Sequence, residues 1–192
     1  MSSSDCHKEK SGMNVEAPRF ETRVFAESPQ VVGLIAHLPE VRRALFETGI
    51  PKGLLGGRYL ADPELTVLAR EGLASVVRFG TSGRTDAIGV AVDSGNVVDI
   101  IDVPWVPANF VNTTVGLFTR TVQALVERFP YYSKDAEWVE IDSVCVELRK
   151  IIRSIDAGAV MPDYYWPTFV DDVQMGDFST EDILMWQRRN AI

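Results

Sequence analysis

The apolar residues of this chain change their spacing once, and that change limits the folds it can adopt. Between Leu65 and Ile101 they stand in short runs separated by turn residues, a pattern typical of β-strands. From Asn112 onward they recur at intervals of three and four, as on one face of an α-helix. Strands followed by helices predict an α+β fold, with an antiparallel β-sheet packed against helices and a helical C-terminal third.

The N-terminal part divides into a tail and the start of a domain. Residues 1–17 are polar and Ser-rich, which predicts a disordered tail, and residues 18–192 are predicted to form a single domain. Ser28 and Pro29 favour a helix start, and the apolar spacing predicts a second helix over Pro39–Thr48. Gly49 and Pro51 are expected to end that helix, and Lys52–Gly57 is expected to be a loop.

Four strands are predicted in the middle of the chain: Leu65–Ala69, Leu73–Phe79, Ala87–Val92 and Val97–Ile101. The last two flank Asp93–Asn96, a hairpin turn in which Gly95 or Asn96 can adopt a positive φ. Ala87, Gly89 and Ala91 give one strand a face of small side chains, which lets another segment or a ligand approach the backbone.

The last third contains the predicted helices. Asn112 is expected to cap the first helix. Each of the first three helices has one buried apolar stripe. The stripes are Val115, Phe118, Val122, Leu125, Val126 and Phe129 in the first helix, Trp138, Ile141, Cys145, Leu148, Ile152 and Ile155 in the second, and Trp166, Phe169, Val170 and Val173 in the third. Gly176 is expected to end the third helix, and Ser179 to begin a short fourth one.

Charge is distributed unevenly along the chain. The net charge is −8, and the segment from Asp135 to Asp182 contains 12 acidic and 3 basic residues. Nucleic-acid binding needs the opposite sign, because phosphates are neutralised by Lys and Arg. The acidic segment therefore indicates either a basic partner or an ordinary solvated surface.

The sequence also bears on location. No apolar run approaches the roughly 20 residues that a membrane helix needs, and the first ten residues lack the apolar segment of a secretory signal. Two cysteines, Cys6 and Cys145, cannot form a disulfide framework. These features predict a protein of the reducing cytoplasm that does not enter a membrane.

No group of residues in the sequence has the pattern of an active site. His7 lies in the predicted tail, His37 stands alone at a helix junction, and Cys145 is expected to be an inert core thiol. Gly53–Gly57 lacks the Lys-Ser/Thr ending of a phosphate-binding loop. Asp171 and Asp172 are consecutive on a predicted helix, so their carboxylates point apart and are expected to be solvated. We therefore predict no enzyme activity, no cofactor and no metal site.

Trp105 has two interpretations. It lies between Pro104 and Val106-Pro107 directly after a predicted strand, so the loop is stiff. A Trp on a stiff loop can anchor a protein interface, or it can cover the core as a lid. Tyr131-Tyr132 and Tyr164-Tyr165 leave the same choice open.

Four motifs in order resemble the fourth subgroup of the SUKH superfamily of bacterial immunity proteins. They are Phe46-Glu-Thr-Gly-Ile-Pro51, Val77-Arg-Phe-Gly80 with Asp93-Ser-Gly-Asn-Val97, Phe110-Val-Asn-Thr-Thr114 with Phe118, and Ile155-Asp-Ala-Gly-Ala159 with Tyr165-Trp166 and Val170. The resemblance covers roughly Val41 to Gly176. Its matched residues are fold markers rather than catalytic groups: Gly49, Pro51, Gly95, Asn112, Phe118 and Trp166.

The resemblance implies an immunity protein that binds a cognate toxin and blocks it stoichiometrically. Such toxins are commonly nucleases or nucleic-acid deaminases of polymorphic toxin systems, and their substrate clefts are basic. The expected partner is therefore a basic protein toxin, and no nucleic acid is expected to bind. The sequence leaves the oligomeric state open. The candidate partner-binding residues are Glu137, Glu140, Asp142, Asp163, Asp171, Asp172 and Asp177, with Trp105 as a possible anchor.

Two other functions stay open at this point. One is a regulatory or scaffold protein of the same superfamily, because a fold does not determine its partner. The other is an enzyme or small-molecule binder that uses Ala87, Gly89 and Ala91 as the floor of a pocket.

Overall fold

The computed structural model of the chain describes residues 18–70, 73–83, 85–103 and 105–190. The tail predicted at residues 1–17, with Cys6 and His7, lies outside these ranges.

The strands form an antiparallel sheet in which each strand pairs with the next one along the chain. Its members are β3 (Gly53–Leu54), β4 (Tyr59–Arg70), β5 (Leu73–Ser82), β6 (Asp86–Ala91), β7 (Val97–Ile100) and β8 (Asn109–Asn112). Two short strands, β1 (Thr22–Arg23) and β2 (Ile50–Pro51), pair separately. The predicted α+β class is confirmed.

The helices follow the predicted spacing closely. They are α1 (Pro29–Leu34), α2 (Pro39–Arg43), α3 (Val115–Glu127), α4 (Trp138–Ile155), α5 (Tyr165–Met175) and α6 (Thr180–Asn190). The helix predicted over Pro39–Thr48 changes to a π-helical turn at Ala44–Thr48, and Gly49 ends it with φ of 83°. Gly176 ends α5 in the left-handed conformation, as predicted.

Strand β4 is longer than predicted, and its extra part contains an irregularity. The pairing of β4 with β5 shifts register between Ala61 and Thr66, where Pro63 has no N–H to donate to the sheet. Arg23 Nη1 donates to the carbonyl oxygens of Ala61 (3.3 Å) and Asp62 (2.6 Å) at this point. The strand therefore begins at Tyr59, ahead of the predicted start at Leu65, and continues through Pro63.

The predicted loop at Lys52–Gly57 is wrong in part. Gly53 and Leu54 pair with Leu60 and Tyr59, and a 3-10 turn follows at Leu55–Gly57. Gly56 (φ 65°) and Gly57 (φ 73°) make this reversal possible, because residues with side chains rarely adopt a positive φ.

The elements lie in layers. Helices α3 and α5 contact the strands, and α4 packs against α3, α5 and the 3-10 turn at Ala157–Val160. One apolar cluster extends from Phe25 to Ile183. Tyr59 and Phe118 make an edge-on ring contact in this cluster, as do Trp166 and Phe169.

Asn112 does not cap α3 as predicted. Thr114 is the cap, and its Oγ1 accepts a hydrogen bond from the Leu117 N–H. Asn112 is fully buried: its Nδ2 donates to Asp156 Oδ2 (2.9 Å), and its Oδ1 accepts from Trp166 Nε1 (2.9 Å). Its amide is therefore occupied by the core, and it joins two of the motifs that carried the resemblance, the third and the fourth.

The face of small side chains on β6 does not form a pocket floor. A Cβ atom at Gly89 would lie 2.5 Å from the Val77 carbonyl oxygen and 2.7 Å from Val76 Cγ1. Ala87 is buried with Val76 and Ile100 in a second, smaller apolar cluster. The neighbouring strand fills the space that a ligand would need.

Candidate protein-binding surface

Helix α4 and the end of α5 present most of the predicted partner-binding residues. Cys145 Sγ donates to the Val170 carbonyl oxygen (3.7 Å), and Asp142 Oδ1 accepts from Gln174 Nε2 (3.0 Å). A later residue of α4 thus contacts an earlier residue of α5, so the two helices run antiparallel. The start of α4 consequently lies beside the end of α5.

Tyr132 holds the chain ahead of α4 against the chain after α5. Its hydroxyl donates to the Val173 carbonyl oxygen (2.6 Å), and its own carbonyl oxygen accepts from the N–H and the hydroxyl of Thr180, each at 2.8 Å. Tyr131 and Tyr132 are both buried, so neither is a contact residue.

The acidic candidates differ in how far their charge is already compensated. Asp171 pairs with Arg149 (2.7 Å), and Asp172 pairs with Arg58 (2.9 Å). The carboxylates point apart as predicted, but Asp172 is half-buried rather than solvated. Burial raises the pKa of Asp172, and the Arg58 guanidinium opposes that shift.

Four other candidates lie on the surface. Glu137 is the residue that precedes α4, and Glu140 lies in its first turn, where carboxylates interact favourably with the helix dipole. Asp177 follows Gly176 at the end of α5, and its backbone N–H donates to the Asp172 carbonyl oxygen (3.2 Å). Asp163 is exposed near the other end of α5 and adopts φ of 66° in the turn before that helix.

Large apolar side chains are exposed between these carboxylates. Trp138 is 62% exposed, Val139 76% and Met175 79%. Trp138 lies one helical turn before Asp142, and Met175 directly follows Gln174. Because Asp142 and Gln174 are hydrogen-bonded, Trp138 and Met175 lie on the same part of the surface. We call Trp138, Val139 and Met175 the α4–α5 patch.

The interpretation of Trp105 as a lid over the core is wrong. Its side chain is 84% exposed, in the loop between β7 and β8. That loop leads to Phe110, whose ring lies 5.1 Å from the ring of Tyr164 ahead of α5. Trp105 therefore precedes a strand that contacts the N-terminal end of α5, whereas Trp138 lies beside its C-terminal end.

A cluster of buried polar side chains lies elsewhere, between the sheet and α5. Asp99 and Ser82 are buried, and the Tyr165 hydroxyl donates to the Arg58 carbonyl oxygen (3.2 Å). Burial raises the pKa of Asp99 to about 6, the nearby Asp86 adds to the shift, and Ser82 and Arg58 oppose it. Because Asp99, Ser82 and Tyr165 are each at most 6% exposed, a substrate has no access to them.

Other residues considered for chemistry have structural partners. His37 Nε2 lies 2.8 Å from the Val92 carbonyl oxygen. Cys145 is buried, as predicted, and burial raises the pKa of its thiol. Within the described ranges, no group of three or more His, Cys, Asp or Glu side chains is arranged to hold a metal ion. The helices of the described ranges include none that is both long and apolar enough to cross a membrane.

Sequence reasoning missed the apolar part of this surface. The apolar spacing predicts Trp138 in the buried stripe of α4. However, α5 ends at Met175 and covers that stripe only from about Ile141 onward. Met175 was not singled out at all. The sequence does contain one signal for this exposure. Gly176 predicts the end of α5, and a helix that ends there leaves the first turn of α4 without a packing partner.

A family model described as "SUKH-4 immunity protein" matches residues 19–172. No curated protein and no solved structure gives a match. The family match ends at Asp172 and so excludes Met175, Asp177 and α6, whereas the expected resemblance extended to Gly176. It includes all four motifs that carried the resemblance. Since the match covers most of the chain, the chain belongs to the SUKH-4 immunity protein family.

Proposed function

We propose that this chain binds a protein toxin and blocks it stoichiometrically, so that the cell producing both is protected. The family match over residues 19–172 carries this proposal, because membership supports an immunity function. The proposed setting is the cytoplasm of a bacterium that carries a polymorphic toxin system.

The acidic surface supports a particular class of toxin. The segment from Asp135 to Asp182 has 12 acidic and 3 basic residues, and Glu137, Glu140 and Asp177 in it are exposed. A toxin that acts on nucleic acid must present a basic cleft to phosphates. Carboxylates can occupy such a cleft in place of phosphates and can also speed association by steering. We therefore assign the toxin to the nucleases or nucleic-acid deaminases.

The buried chemistry supports blocking rather than catalysis. The Cys145 thiol and the Asp99 carboxyl both have raised pKa values inside the core, and both are closed off from solvent. A group that a substrate cannot reach cannot act on it. Protection is then expected to require one bound copy of this chain for each toxin molecule.

The test is co-expression with the toxin encoded by the adjacent gene, followed by titration. Growth should be restored by this chain but not by an unrelated acidic protein of similar size. In vitro, inhibition of the purified toxin should become complete at one equivalent, and the two proteins should elute together. Complete inhibition far below one equivalent would show that this chain is an enzyme, and absence of any complex would favour the regulatory or scaffold function.

A further inference from the structure

We infer that the α4–α5 patch is the centre of the toxin-binding surface, and that it binds a basic surface that contributes an apolar side chain. This inference rests on the proposed function and specifies where it is carried out. It also replaces Trp105 by Trp138 as the anchor of the interface.

The first step is the exposure of the patch. Trp138, Val139 and Met175 are each more than 60% exposed. A Trp side chain leaves a large apolar area in water at this exposure, and a concentration of exposed apolar side chains on one part of a surface is typical of interaction sites. Trp is also among the residues that contribute most to binding energy when a partner covers them.

The second step is the rigidity of the patch. Trp138 and Val139 belong to the first turn of α4, which the Asp142–Gln174 hydrogen bond and the Tyr132 hydrogen bonds hold against the end of α5. Gly176 fixes the end of α5 next to Met175. A surface held in place before binding loses less conformational entropy when the partner binds.

The third step is the charge around the patch, which selects the partner. Glu137 and Glu140 flank Trp138 and Val139 in sequence, and Asp177 lies two residues after Met175. Arg149 is already paired with Asp171, so it does not neutralise these carboxylates. The rim is therefore acidic around an apolar centre, which complements a basic protein surface.

The same charge argues against a second copy of this chain as the occupant. Each copy has a net charge of −8, and a symmetric contact would bring the same carboxylates face to face. Like charges brought together at an interface disfavour association. A partner of opposite charge avoids that penalty.

The experiment measures the binding of the catalytically inactivated toxin encoded by the adjacent gene. Trp138→Ala should weaken binding by about thirtyfold or more, mainly through faster dissociation. Trp105→Ala is the matched control, because it removes an even more exposed Trp from the loop between β7 and β8. We expect Trp105→Ala to change the dissociation constant less than threefold, an order-of-magnitude bound for a residue outside the binding centre.

A second variant tests the charge. Glu137→Lys with Glu140→Lys should slow association by about tenfold at low salt, and the difference from wild type should shrink at high salt. Glu64→Lys, an exposed carboxylate on β4, is the control and should leave the rate nearly unchanged. These positions are preferable to Asp171 and Asp172, because reversing the latter would also break ion pairs with Arg149 and Arg58.

The outcomes separate this inference from the proposed function. If wild type binds and protects but the α4 variants do so equally well, the surface is wrong and the function stands. If Trp105→Ala weakens binding and Trp138→Ala does not, the anchor is Trp105. If wild type forms a dimer that Trp138→Ala dissociates, the occupant is a second copy. Absence of any wild-type complex overturns both proposals.

Discussion

At the scale of single residues, the clearest departure from ordinary behaviour is the Asp99 carboxyl. It is 6% exposed, and its Oδ1 has no hydrogen-bond partner in the structure. Burial is the largest cause of its raised pKa, followed by repulsion from Asp86. A carboxyl that ionises less readily when folded makes the folded state less favourable as pH rises.

Asp99→Asn should therefore stabilise the protein near neutral pH. The folded-state pKa is about 6, above the ordinary value of 3.8, so the stabilising contribution of Asp99 is complete below pH 3.8. It is lost as pH rises through about 6. Urea unfolding should show the variant more stable by at most about 3 kcal/mol at pH 7.5 and nearly equal to wild type at low pH.

The control for this measurement is Asp93→Asn, at an exposed position in the turn between β6 and β7. We expect this substitution to change stability little at either pH, because surface substitutions usually have small effects. A stability difference for Asp99→Asn that does not depend on pH would contradict the account of Asp99.

The identity of a residue predicted whether its side chain is buried better than it predicted its hydrogen-bond partners. Phe118 and Trp166 are fully buried where the apolar spacing placed them. Asn112 has a residue type that often caps helices, but both ends of its amide bind Asp156 and Trp166. Those partners lie 44 and 54 residues away, and local sequence contains no signal for such a contact.

At the scale of elements, α6 depends on two glycines in the turn between β3 and β4. A Cβ atom on Gly57 would lie 2.4 Å from Trp186 Cζ2, and one on Gly56 would lie 3.0 Å from Phe178 Cε1. Both rings belong to the segment that includes α6 and the residues just before it. The turn therefore provides a surface without side chains on which these rings lie.

Gly57→Ala should displace α6. The new methyl group would overlap the Trp186 ring, and φ of 73° is unfavourable for Ala, so we expect a loss of about 2 kcal/mol or more. Hydrogen exchange of α6 amides should become faster, while exchange in α4 changes less.

Gly33→Ala is the matched control, because a Cβ atom there meets nothing within 4 Å. It lies inside α1, where Ala is favoured over Gly by about 1 kcal/mol, so the protein should become no less stable. Unchanged exchange in α6 of the Gly57→Ala variant would show that the ring contact does not hold this helix.

Elements were predictable where spacing alone defines them. The hairpin at Asp93–Asn96 is confirmed, with Gly95 at φ of 75°. The buried stripes of α3 and α5 are also confirmed, except that Phe129 follows the end of α3 and is half-buried. The extent of β4 was not, because Pro63 interrupts the strand pattern and is accommodated only by a register shift. Short strands such as β3 depend on their pairing partner rather than on their own two residues.

At the scale of the whole molecule, the core extends further than the family match. The match ends at residue 172, whereas Val173, Phe178 and Ile183 are buried in the same apolar cluster as the rest of the core. Ser179 begins α6 as predicted, and its Oγ accepts a hydrogen bond from the Asp182 N–H (3.2 Å). The last helix is therefore integrated into the fold of this chain.

Ending the chain after Gly176 should accordingly cost about 5 kcal/mol or more, since Phe178 and Ile183 each leave a buried site. The midpoint of urea unfolding, compared with the full chain, measures this loss. Ser179→Ala is the control, and removing that cap alone should cost about 1 kcal/mol. A shortened chain as stable as the full one would show that α6 contributes nothing to the core.

The excess of acidic residues can be counted in the sequence, but which carboxylates are free to contact a partner cannot. Asp171 and Asp172 appeared equivalent, yet they pair with Arg149 and Arg58, which stand in different elements. Only the packing of α4 against α5 distinguishes paired carboxylates from those that are open to a partner.

The placement of α4 in the outermost layer has a consequence for how this protein can diversify. Trp138, Val139 and Glu140 project from a helix whose main contacts are other helices, so changing them leaves the sheet and its aromatic centre intact. If the α4–α5 patch binds the toxin as we propose, mutations there are expected to alter which toxin is recognised at little cost in folding. Lineages facing new toxins could therefore acquire new specificities on an unchanged scaffold.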